Sequence, residues 1–315
     1  MEASIDLIET QQAFMQKLAR EGRGDNTLKN YQADLRCFNE FWANNGRKST
    51  LTQFTHQEVM EYAQYLEQKY PSTNSIRRRV QALRLYLDFL VVHHGLPSNA
   101  MKELPVAPKV LDAPHPTPFS ALCELNQELL EKWRTTQALE KLLAGRNLIL
   151  LALMYQGGAK VSDLARLERQ DLMRGKEFKL LLRPPKRDPY SIPLPQAFLP
   201  ILEEYEQLYL SLWSEGQGLP PVSLLFNANP FRILSQGLSA RGIELIFFEL
   251  TRAKEASFTP REIRQAGLFR WINQGQTEGL IKEWMGVAPD YSLKAYFEWH
   301  EKHPPMNEYT DLNYG

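Results

Sequence analysis

Cysteine is nearly absent from this 315-residue chain: Cys37 and Cys123 are the only two. Each stands among apolar residues with no His or Cys partner at metal-ligand spacing, which argues against a structural disulfide and against a zinc site. Charge of one sign is lacking too. With 37 basic and 37 acidic residues the net charge is zero, so the chain is not an indiscriminate polyanion binder, and any nucleic-acid contact must arise from where the charges lie. The longest apolar run, Leu148 to Tyr155, falls far short of the roughly 20 residues of a membrane span. The acidic N-terminus has neither the basic nor the apolar region of a signal peptide. These absences predict a cytoplasmic protein without a membrane partner, and no ligand cluster implies a metal or organic cofactor.

Hydrophobic residues make up 43% of the chain, a normal globular share, and the length suits two compact domains. From Ile5 to Val92 apolar residues recur at helical spacing, broken by turn signals at 22–26, 44–46 and 71–74, which predicts about four helices. Thr55 followed by Glu58 has capping-box spacing, and Thr73 or Ser75 is expected to cap a helix starting Ser75-Ile-Arg-Arg-Arg-Val. Between Leu96 and Pro118 lie Pro97, Pro105, Pro108, Pro114, Pro116 and Pro118, a density that predicts an extended connection over 105–118. This divides the chain into domains at 1–104 and 119–315. In the second, helices are predicted at 123–133, 139–155, 161–167, 195–213, 238–253, 260–273, 279–284 and 293–299, with a hairpin of strands at 178–182 and 190–194.

Asn26-Thr-Leu-Lys-Asn-Tyr-Gln-Ala-Asp-Leu-Arg-Cys-Phe and Ser75-Ile-Arg-Arg-Arg-Val-Gln-Ala-Leu-Arg-Leu-Tyr, with the Asn99 exit, resemble the core-binding domain of Xer-type tyrosine recombinases and phage integrases. The second domain continues the resemblance in order: Gln156-Gly-Gly-Ala-Lys-Val-Ser-Asp-Leu, the Lys186 hairpin, Thr259-Pro-Arg-Glu-Ile-Arg-Gln, then Trp284-Met-Gly-Val and Leu293-Lys-Ala-Tyr. The implied fold is mainly α: an N-terminal helical, SAM-like core-binding domain and a C-terminal α-rich catalytic-type domain with a small β-hairpin or sheet. Lys29, Arg36, Arg77, Arg78 and Arg84 sit among the apolar positions of the first domain, where basic side chains can line one surface and contact DNA phosphates.

In the family a tyrosine oxygen attacks a phosphodiester and forms a 3′-phosphotyrosyl link. Two arginines clamp the phosphate, a hairpin lysine protonates the leaving oxygen, and histidines complete the site. Tyr296 matches the nucleophile, lying 32 residues after Arg264, and is preferred to Tyr291. Lys186 matches the hairpin lysine. Elsewhere the pattern departs: Lys160 stands for the first arginine, Arg261 for the first histidine, Gln265 for the second, and Val287 for a His or Trp. Lysine lacks the bidentate fork of arginine, arginine is no base near neutral pH, glutamine does not transfer protons readily, and valine offers no polar contact. Positive charge nevertheless persists at Lys160, Arg261 and Arg264, and Thr259, Pro260 and Glu262 predict a helix start that puts Arg261, Arg264 and Gln265 on one face.

These features predict a double-stranded DNA-binding pseudo-enzyme, an accessory or regulatory clamp for DNA recombination, transposition or integration with impaired strand exchange. An active enzyme with Arg261 and Arg264 as the clamp, Lys160 or Lys186 as acid and Tyr296 as nucleophile is the alternative. A protein interaction scaffold, suggested by neutral charge and six tryptophans, is a third reading. The tail with Trp299, Pro304, Pro305, Tyr309 and Tyr314 matches the place where family members pass a segment to a neighbouring protomer, which predicts homo-oligomers on DNA and contacts with other recombination proteins.

Overall fold

The computed structural model describes residues 4–105, 113–185, 187–214, 219, 221–228, 234–256, 258–303 and 309–315. The chain divides into two compact units, Met1–Asp112 and Ala113–Gly315.

In the first unit, β1 (Ile5–Asp6) leads into α1 (Leu7–Arg20), followed by α2 (Asp25–Asn44), β2 (Thr50–Leu51), α3 (His56–Lys69) and α4 (Thr73–His94). Asp6 starts α1 by accepting hydrogen bonds from the backbone of Ile8 and Glu9 at 2.8 and 2.9 Å, which satisfies two otherwise orphaned donors. Thr55 and Glu58 form the expected capping box of α3. Helical spacing brings Leu35, Phe38 and Trp42 of α2, Val59, Tyr62 and Leu66 of α3, and Val80, Leu83, Leu87 and Leu90 of α4 into one core. Phe38 is its hub, meeting Tyr62 edge-on at 5.6 Å and Phe54 at 5.7 Å. A fully buried aromatic or aliphatic side chain of this kind contributes roughly 1.5–3 kcal/mol.

One expectation is corrected here. The last helix begins at Thr73, with Ser72 as its N-cap and no side-chain cap bond, so neither Thr73 nor Ser75 is the cap. Pro71 disfavours helical backbone at Tyr70, which is the extended C-cap of α3. The antiparallel pairing of Ile5 with Leu51 and Asp6 with Thr50 was not foreseen, because two-residue strands leave no period to read.

The second unit is built around α6 (Ala138–Tyr155), in which every residue from Ala144 to Tyr155 is buried. A helix apolar on all sides must be surrounded, and α5 (Phe119–Thr135) with two later helices packs against it. Then come α7 (Val161–Leu164), a three-stranded antiparallel sheet of β3 (Leu172–Met173), β4 (Lys179–Leu182) and β5 (Tyr190–Pro193), and α8 (Leu199–Ser214). In the register of β4 and β5, Leu180 faces Ile192 and Leu182 faces Tyr190. A hairpin of β6 (Phe226–Ala228) and β7 (Leu234–Gln236), absent from the sequence reading, precedes α9 (Ala240–Thr251), α10 (Pro260–Asn273), α11 (Glu278–Trp284) and α12 (Lys294–Lys302). Helix α7 ends three residues earlier than expected, and α8 starts at Leu199 after a 3-10 turn over Gln196–Phe198. Cys37 is buried, Cys123 is half-buried, and both are free.

The C-terminal residues fold back onto this unit. Tyr309, Leu312 and Tyr314 are buried. Tyr309 Oη donates to the carbonyl of Thr117 at 2.9 Å, and Tyr314 Oη donates to Gln156 Oε1. Asp311 pairs with the buried Arg270, whose Nη2 also reaches the carbonyl of Gln156 at 2.6 Å. Pro304 and Pro305 lie outside the described residues.

Candidate functional site

The capping box of Thr259 and Glu262, with Pro260 at the first turn, fixes where α10 begins and therefore how its residues face. Arg261 is exposed, Arg264 is half-buried and Gln265 is buried. Arg264 is held by backbone carbonyls: Nε donates to Gly158 and Nη2 to Met285 at 2.7 Å. A guanidinium pinned on two sides has its plane set, leaving Nη1 for a ligand. Lys160, the N-cap of α7, donates from Nζ to the carbonyl of Gly286 at 3.3 Å.

Both glycine carbonyls depend on left-handed backbone. Gly158 has φ +61 and Gly286 has φ +56. A Cβ at Gly158 would meet the Trp271 ring at 2.4 Å, and one at Gly286 would meet the Tyr190 hydroxyl at 2.3 Å. Glycine is the residue that adopts these angles without a side-chain clash. The Gly158 carbonyl thus orients Arg264, and the Gly286 carbonyl orients Lys160.

Lys160, Arg261 and Arg264 line one cavity of about 600 Å³, together with Phe248 and Phe258. Burial, then the charges of Arg264 and Arg187, hold the Lys160 ammonium below the ordinary lysine value, against the pull of Asp163. Burial also lowers Arg264, opposed by Tyr190 and Tyr296. Two cations fixed by neutral carbonyls concentrate positive potential in this cavity.

Tyr296 stands at the start of α12, its ring 6.1 Å from that of Phe269. Burial raises its phenol above the usual value, Tyr291 adds to the rise, and a hydrogen bond from Gln265 and the charge of Arg264 oppose it. Gln265 Oε1 accepts from the backbone of His115 at 2.9 Å, which leaves the Gln265 amide nitrogen to donate toward the Tyr296 oxygen. The segment that does this was read as linker. It runs along the start of α10, with Thr117 N donating to the Glu262 carbonyl at 3.3 Å and His115 Nδ1 3.0 Å from Glu262 Oε1.

Lys160, Arg261, Arg264, Gln265 and Tyr296 therefore share one neighbourhood of the second unit. Lys186 lies outside the described residues. Val287, next to Gly286, is half-buried against the core. Sequence reasoning missed Gly158, Gly286, His115 and Tyr190. The glycines stood inside recognised motifs, but their handedness cannot be read from residue order, and His115 was hidden among prolines.

In the first unit, Lys29 and Arg36 are exposed one heptad apart on α2. Arg77 and Arg78 are half-buried on α4, with Arg78 2.9 Å from the buried Asp34. Burial lifts Asp34 above the usual carboxyl value despite Arg78 and Arg79. Arg84 is engaged internally, donating to the carbonyls of Met101 at 3.0 Å and Leu104 at 2.6 Å.

Residues 12–94 match the sequence family described as phage integrase, N-terminal SAM-like domain. Over 290 residues the chain is 24% identical to a tyrosine recombinase XerC of Pediococcus pentosaceus, covering 90% of this chain and 91% of that one. A tyrosine recombinase XerC of Herpetosiphon aurantiacus is 25% identical over 280 residues, covering 87% and 85%. Among solved structures, a lambda integrase dimer bound to a COC′ core site is similar with a TM-score of 0.65 at 16% identity, over 95% of this chain and 78% of that one. The Tn1549 transposon integrase in complex with a circular intermediate DNA reaches 0.59 at 15% identity, over 92% and 94%. The structural likeness establishes the fold: a helical SAM-like N-terminal unit and an α-rich catalytic-type C-terminal unit with small sheets.

Proposed function

We propose that the chain acts as a member of the tyrosine recombinase and phage integrase family, which its similarity to that family supports, and that it binds duplex DNA by gripping a backbone phosphate among Lys160, Arg264 and Arg261. The observation that carries this reading is the pinning of Lys160 and Arg264 by the carbonyls of Gly286, Gly158 and Met285. Cations already held in place bind an anion without the usual cost of ordering long side chains. Lys29, Arg36, Arg77 and Arg78 would add phosphate contacts from the first unit, Met1–Asp112, while Arg84 serves its own unit's backbone. Affinity should be salt-dependent, since each neutralised phosphate releases counterions.

The same geometry supports impaired strand exchange. An attacking phenol must lose its proton, yet burial pushes that of Tyr296 the wrong way, and Gln265 and Arg261 are poor proton acceptors. An accessory or regulatory part in recombination, transposition or integration follows, with oligomers on DNA and other recombination proteins as the expected partners. One observation favours the second reading, a rearranged active enzyme: the Gln265 amide and the Arg264 charge both favour the Tyr296 phenolate. Incubation with random-sequence and native flanking duplexes tests both. Salt-sensitive binding without a denaturant-resistant adduct supports the first, an adduct lost in Tyr296→Phe supports the second, and no binding at low salt rejects both.

A further inference from the structure

Tyr190 opens β5 and reaches the site from the sheet rather than from a helix. Its hydroxyl lies where a Cβ at Gly286 would come within 2.3 Å, and the same Gly286 takes Lys160 Nζ through its carbonyl. Phenol and ammonium thus converge on one residue, and the side chain of the residue after it, Val287, has no donor to offer. Tyr190, Lys160, Arg166 and Arg187 line a second cavity of about 290 Å³, into which Asp163 also faces. This cavity shares Lys160 with the larger one.

The Tyr190 hydroxyl makes no hydrogen bond among the described residues. A half-buried tyrosine normally finds a partner for its hydroxyl. Three cations on the cavity wall against one carboxylate select an anionic acceptor. We propose that Tyr190 donates a hydrogen bond to an oxygen of the phosphate bound at Lys160 and Arg264, so that the sheet supplies a neutral donor beside the two cations. This rests on the reading that the site takes a DNA phosphate. Burial and the charge of Asp163, outweighing Arg264 and Arg187, push the phenol up to about 12, so the proton is present throughout the physiological range.

Tyr190→Phe removes the oxygen and keeps the ring. With a random-sequence duplex as the probe, affinity is expected to fall about tenfold while the slope of log affinity against log salt stays the same, because no charge is lost. Lys160→Met and Arg264→Gln, measured alongside, should weaken binding and flatten that slope. If these two variants bind as the wild type does, the phosphate reading fails. If they weaken binding and Tyr190→Phe does not, only the role of Tyr190 is overturned. Should Tyr190→Phe melt early, Tyr190→Gln, which restores a donor without the ring, decides the matter: recovered affinity supports the hydrogen bond, and affinity as low as that of the Phe variant rejects it.

Discussion

Lys160 Nζ donates to the carbonyl oxygen of Gly286 at 3.3 Å. The neighbouring carbonyl, that of Met285, takes Arg264 Nη2 at 2.7 Å. The connection between α11 and α12 therefore acts as a shared strut for two cations that arrive from different parts of the unit, one from the start of α7 and one from α10.

Gly286→Ala tests the strut. The backbone there has φ +56 and a Cβ would collide with the Tyr190 hydroxyl. Left-handed backbone costs a non-glycine residue about 1–2 kcal/mol, and overpacking adds about 1–3 kcal/mol more. Chemical denaturation should show a loss of about 2 kcal/mol or more, and DNA affinity measured well below the melting point should fall as well.

Lys160→Met is expected to separate stability from binding. The folded protein holds the Lys160 ammonium below its ordinary value, so the charged form is penalised by folding. That penalty is fully present below the folded value and is relieved as pH rises through it toward the unfolded value. Removing the charge should leave the thermal midpoint at pH 7 unchanged or higher, while affinity for duplex DNA falls about tenfold and the salt slope drops by about one. A lower midpoint with unaltered affinity would mean that Lys160 is structural.

Much of this was legible in the chain itself, for reasons that can be stated. Helix α10 was predicted over its observed range because its capping box and Pro260 are local signals, and the family resemblance placed Lys160, Arg264 and Tyr296 in one site. The small sheets were readable only where strands were long enough to alternate, as in β4 and β5. Handedness at Gly158 and Gly286 depends on Trp271 and Tyr190 across the fold, and the docking of His115 on Gln265 spans 150 residues. No local pattern encodes such pairings.

The C-terminal residues carry a stability prediction. Tyr314 is buried against Phe198, ring centroids 4.9 Å apart, and bonded to Gln156. Truncating a buried aromatic costs roughly 3–5 kcal/mol, so Tyr314→Ala should lower the thermal midpoint by several degrees in the free protein. A midpoint that is unchanged would show that the contacts of Tyr314 with Phe198 and Gln156 do not hold the free protein together.

The most direct test of the account is a salt titration of random-sequence duplex binding, comparing the wild type with the Lys160→Met, Arg264→Gln double variant. Phosphate gripping in the C-terminal unit predicts tight, salt-sensitive binding by the wild type, with affinity reduced by well over tenfold and a slope flatter by about two in the double variant. Equal affinity and equal slope for the two proteins would contradict it.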